Sequence, residues 1–94
     1  MTTTLHLTLH RKWFKQILEE KKKIEYREIK PFWTKRLFDE DGKPKKYDLI
    51  LFRNGYSKDA PIMKIEFKGI SITDNYEIHL GNILSTNNVG QLNI

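Results

Sequence analysis

Lys22, Glu25 and Arg27 are the residues whose types and spacing best suit chemistry in this chain. They lie in Glu20 to Arg27, Glu-Lys-Lys-Lys-Ile-Glu-Tyr-Arg, where a helical pattern stops and an extended one begins. Alternate side chains of an extended run share a face, so Lys23, Glu25 and Arg27 point one way, Ile24 and Tyr26 the other, and Lys22 sits at the strand entrance. An acid between two bases on one face, fed by a lysine loop, suits a polar, anionic or carbonyl-bearing ligand. The same run also describes a half-buried strand with a solvated, ion-paired outer face, an ordinary sheet device. The residues alone leave both readings open.

The flanking segments must position this stretch. Thr3 to His10 alternates with a period of two, Leu5, Leu7 and Leu9 against His6, Thr8 and His10, and predicts a strand. Arg11 to Lys21 spaces Trp13, Phe14, Ile17 and Leu18 as the apolar stripe of an amphipathic helix, with both aromatics read as core. A strand over Ile24 to Ile29 follows, then a short helix opened by Pro31 and holding Phe32, Trp33, Arg36 and Leu37. Tyr47 to Arg53 is nearly all apolar and predicts a strand buried on both faces. Asn54-Gly55 supplies a tight turn, since both residues tolerate positive φ, and Tyr56 to Pro61 a loop.

Ile62 to Phe67 alternates again, Gly69 marks a bulge before Ile70 to Ile72, and Tyr76 to Leu80 is a last regular strand. Gly81 and then Ile83-Leu84 follow it, the latter either covering an edge or finishing the ladder, and residues 85–94 read as a loose tail. The pattern predicts an α+β, mostly β fold: a small, mainly antiparallel barrel of about five strands with one early amphipathic helix and a short second one.

The chain has 94 residues, enough for one domain. With no cysteine it has neither disulfides nor cysteine-type zinc sites, which is consistent with a reducing cytoplasm. The longest apolar run, Leu49-Ile50-Leu51-Phe52, is far short of the ~18 residues of a membrane span, and we expect a soluble chain with no membrane partner. His6 and His10 share a strand face, but the remaining histidine is His79, so no metal site is expected. Asp39 to Pro44 lacks the ligand set of a calcium loop, and no cofactor is expected. The net charge of +5 is uneven: residues 1 to 47 hold thirteen of 17 Lys and Arg and seven of 12 Asp and Glu, a surplus of six. A basic half is the electrostatic footprint of a phosphate-backbone binder.

Over residues 5 to 84 the chain resembles an ASCH domain, a small relative of the PUA barrel. That family's signature, Gly-x-Lys-x-x-Glu-x-Arg after an opening strand and helix, maps here as Glu20-x-Lys22-x-x-Glu25-x-Arg27. Glu28 to Trp33, Phe52 to Ser57 and Ile78 to Ile83 are also similar to a bacterial and phage subgroup. Two departures stand out: Glu20 replaces the signature glycine, which costs stability if the turn needs positive φ, and only Thr73-Asp74-Asn75 joins the strands at Ile70 and Tyr76, where relatives have a longer segment.

The resemblance implies a cleft beside the signature strand that binds RNA or a nucleotide-like ligand. Lys22 and Arg27 would neutralise phosphate, and Glu25 would accept from a base amino group or hold Arg27. Arg53, Asn54 and Tyr56 would add phosphate, base-edge and stacking contacts, and Trp33 a second stacking platform or a core anchor. The alternative is a small amidohydrolase acting on acetylated cytidine, as in similar bacterial proteins, with Lys22 and Glu25 as its catalytic candidates. Those enzymes carry Thr where this chain has Glu25. A third class, a protein-interaction module, would use Trp33, Tyr56 and Tyr26 as anchors.

Overall fold

The structure, a computed structural model, describes residues 3–90. Its elements run β1 (Thr4–Thr8), α1 (Arg11–Leu18), β2 (Ile24–Arg27), α2 (Pro31–Leu37), β3 (Leu49–Arg53), β4 (Ile62–Ile72) and β5 (Tyr76–Asn87). The strands form one five-stranded sheet in the order β1-β3-β4-β5-β2, curled into a half-barrel with β1 and β2 as its two edges. The β1–β3 pair is parallel and the other three pairs are antiparallel. The expected α+β, mostly antiparallel β class with an early and a short second helix is what the chain adopts.

Register places the apolar residues on one face. Leu5 and Leu7 oppose Ile50 and Phe52, which in turn oppose Ile65 and Met63. All six are buried, and Phe14 and Ile17 of α1 and Leu37 of α2 join them in a single core. Each such side chain contributes about 1.5–3 kcal/mol through burial. The helices pack because Phe14 and Ile17 fall three apart on one side of α1, and because Pro31 pre-sets the first turn of α2. Side-chain hydrogen bonds then fix α2: Thr34 and Tyr76 share one at 2.6 Å, and the Tyr47 hydroxyl donates to Arg36 O at 2.6 Å. Burial pushes the Tyr47 phenol above its ordinary 10.0, against the opposing pull of Arg36. At the start of β1 the Thr3 backbone N–H and hydroxyl both donate to Asp48, holding that carboxyl below its ordinary 3.8.

Several local expectations change. The signature strand ends at Arg27 rather than Ile29. At Asn54-Gly55 only Gly55 takes positive φ (96°), and the loop expected over Tyr56 to Pro61 completes the connection to β4. β5 runs through Gly81 to Asn87, so of the two readings Ile83-Leu84 finish the ladder, and residues 85–87 of the expected tail are paired with β4. Residues 91–94 of that tail lie outside the described residues. The passage through Gly81 has a steric reason: a Cβ there would lie 2.6 Å from Lys68 Cε and 2.8 Å from Glu66 Cβ. Glu66 Oε1 accepts the Asn82 N–H at 2.9 Å, where the ladder slips register. The bulge expected at Gly69 is present, with φ of 121°.

Candidate ligand-binding cleft

α1 ends in a turn that aims Lys22. Glu20 is left-handed (φ 61°), its N–H donating to Ile17 O at 3.0 Å while Lys21 N–H donates to Gln16 O at 2.9 Å. These bonds satisfy carbonyls left open at a helix end, in the conformation glycine adopts most readily. Leu80 N–H then donates to Lys23 O at 3.0 Å and draws the chain onto β5. Lys22 is left between, its ammonium 5.2 Å from the centroid of Trp13 and 5.0 Å from that of Tyr26. Both separations are within the ~6 Å reach of a cation–π contact.

The alternation of β2 is as read, but its polar side is the inward one. Glu25 pairs in register with Ile78, which is fully buried. The glutamate is itself 6% exposed, the one buried charged residue among those described, whereas Tyr26 is 49% exposed. The solvated, ion-paired outer face is therefore not what this strand presents. An isolated buried carboxylate would be strongly disfavoured, and here it is held from two sides. Lys22 Nζ is 3.3 Å from Oε1, and Arg27 Nη2 is 2.9 Å from Oε2. Arg27 also donates to Thr8 O at 3.2 Å, bridging the two sheet edges, and its guanidinium lies 4.9 Å from the Trp33 ring centroid. Its Nε–H is buried with no hydrogen-bond partner among the described residues.

Lys22, Glu25 and Arg27 line one open hollow of about 790 Å³, within the ~300–1,000 Å³ of small-molecule sites. Thr8, Leu9, His10 and Arg11 form one wall, Trp13 and Tyr26 flank Lys22, and Asn54, Gly55 and Tyr56 close the far side. Two cationic side chains, Lys22 and Arg27, meet one carboxylate there. A partly desolvated surplus of positive charge between aromatic rings suits an anion carrying a flat ring.

The other expected site residues divide. Asn54 lines the hollow, and its Nδ2–H donates to Leu9 O at 2.9 Å, tying the β3–β4 loop to the chain after β1. Tyr56 stands 86% exposed at the rim. Arg53 is not among the lining residues: its Nη2–H donates to Ser57 O at 3.1 Å and braces the loop. Trp33 borders a smaller, neighbouring hollow rather than this one. Trp13 is the main residue sequence reasoning missed: Phe14 beside it is fully buried, but Trp13 is 40% exposed and walls the site. Its place at the edge of the helix stripe, about two turns before the basic run, was the available signal. Ser71 Oγ lies 2.6 Å from His79 Nε2, yet neither residue lines the hollow. Among the described residues no group of three or more His, Cys, Asp or Glu could hold a metal ion, and no helix is long and apolar enough to cross a membrane.

No protein-family model, no curated protein and no solved structure matches the chain.

Proposed function

We propose that this chain is an ASCH-type, PUA-like domain that holds RNA or a nucleotide-like ligand in the hollow between α1, β2 and the β3–β4 loop, acting in the cytoplasm, where such ligands are at hand. The observation that supports this most is the buried Glu25, clasped by Lys22 at 3.3 Å and Arg27 at 2.9 Å, at the wall of a cavity of nucleotide size. The carboxylate keeps the two cations at fixed positions. Phosphate oxygens then meet prepositioned donors, and a base finds Trp13, Tyr26 and Tyr56 as stacking surfaces. Arg53 contributes by shaping the loop that carries Asn54 and Tyr56.

Hydrolysis of an acetylated cytidine is the weaker reading. A carboxylate acting as base needs an oxygen open to water, and here Lys22 engages Oε1 while Arg27 engages Oε2. Titration of the protein with ribonucleotides at several salt concentrations tests the proposal. Binding should weaken as salt rises, and Lys22→Ala or Arg27→Ala should each weaken it about tenfold or more, the ~1.5–3 kcal/mol of a hydrogen bond to a charged group. Affinity that ignores both salt and these substitutions would refute it. Release of acetate from acetylcytidine, lost in Glu25→Gln, would favour the hydrolase instead.

A further inference from the structure

Beside the main hollow lies a second one of about 340 Å³, lined by His6, Thr8, Arg27, Phe32, Trp33, Arg36 and Tyr56. Thr8, Arg27 and Tyr56 belong to both, so the two are adjoining compartments of one groove across the seam between the sheet edges. Its floor is a ring assembly. Phe32 and Trp33 meet edge to face at 4.9 Å and 88°, Arg36 stacks 4.3 Å from the Phe32 centroid, and Arg27 stacks 4.9 Å from that of Trp33. Phe32 nevertheless remains 56% exposed. Phe32 and Arg36 are four apart on α2, and such pairs stabilise a helix by about 0.2–0.5 kcal/mol. That accounts for their contact, but not for a concavity walled on its other side by His6 and Thr8 of β1.

Resting on the nucleotide-binding reading of the main hollow, we propose that this smaller hollow is a second base subsite. The ligand is then a single-stranded oligonucleotide that crosses the seam, with Arg27 at the phosphate between two bases. Arg27 is the one cation common to both compartments. Glu25 and Thr8 O hold it in place. A guanidinium so fixed at the boundary is placed for the phosphate that joins two bases. The second compartment offers ring faces and guanidinium planes, which take splayed bases of a single strand but are out of reach of bases paired within a duplex.

The chain's two tryptophans make the test direct, because Trp13 walls the first hollow and Trp33 the second. Trp33→Phe and Trp13→Phe variants would be titrated with mono-, di- and tetranucleotides of adenosine and uridine, following fluorescence. A mononucleotide should quench Trp13 and leave Trp33 unchanged. A tetranucleotide should quench both and bind about tenfold or more tighter, since stacking adds ~1–3 kcal/mol per base. The double change Phe32→Ala with Arg36→Ala, both on exposed side chains, should erase that gain without altering mononucleotide affinity. No gain with length, a silent Trp33 or equal binding of a duplex would overturn the second subsite, while Lys22-dependent quenching of Trp13 by a mononucleotide left the main site standing. Silence of both tryptophans with every probe would overturn the two together.

Discussion

Glu25 carries most of the weight at the residue scale. A carboxylate buried opposite Ile78 is tolerated because Lys22 and Arg27 compensate it, and they are ordered because it is there. Removing one partner of a buried pair typically costs 3–5 kcal/mol, about, when the charge left behind is fully enclosed. Lys22 and Arg27 keep 15% and 20% side-chain exposure, so they can turn toward water and the penalty is smaller. Glu25→Gln should therefore lower stability by roughly 1–3 kcal/mol, a fall in Tm of the order of 5–20 °C for a domain of this size. Thermal unfolding followed by circular dichroism checks it. An unchanged Tm would mean that the carboxylate does not hold the cluster together. The triad itself was legible from residue type and spacing, but the direction it faces was not. Lys-x-Glu-x-Arg on one side of a strand reads as a solvated face, and only register against Ile78 shows that this side turns inward. Trp13 was hidden for a related reason: next to Phe14, on the same stripe, the two rings look alike until packing separates them.

At the scale of elements, the turn after α1 decides whether Lys22 arrives between Trp13 and Tyr26. It needs a left-handed residue after the helix, and Glu20 occupies that place with φ of 61°. A side chain in this conformation costs about 1 kcal/mol relative to glycine. Its surface ion pair with Lys23, at 3.7 Å and largely exposed, returns little of that. Glu20→Gly should raise stability by about 0.5–1 kcal/mol in denaturant unfolding and leave ligand affinity unchanged. A destabilised variant would show that the Glu20 side chain does more than occupy the turn. The sequence foresaw this strain as a condition, since it depended on the sign of one φ. It left open whether Ile83-Leu84, beyond Gly81, would finish the ladder or cover an edge. The ladder does continue, and at Gly81 the side chains of Glu66 and Lys68 cross above the backbone and leave no room for a Cβ.

Across the whole molecule, charge and scaffold are divided along the chain. Residues 1 to 47, with their surplus of six positive charges, supply β1, α1, β2 and α2, which surround the groove. The nearly neutral remainder supplies β3, β4 and β5, the inner strands of the sheet. The groove therefore sits where the half-barrel stays open, between edge strands of five and four residues. Arg27 to Thr8 O bridges that seam through a side chain rather than a ladder. Opening of the seam should require far less free energy than unfolding of β3 to β5, and a ligand lying across it binds the closed form. At a hundredfold excess over Kd such a ligand stabilises the closed form by about 2.7 kcal/mol. Amide exchange in β1 and β2 should be much faster than at the centres of β3 and β4 in the free protein, and should slow by about a hundredfold with saturating oligonucleotide. Hydrogen exchange resolved by strand measures this. Equal protection of all five strands in the free protein would mean that the sheet opens as one unit, and that the ligand is held by the domain as a whole rather than by its unclosed edge.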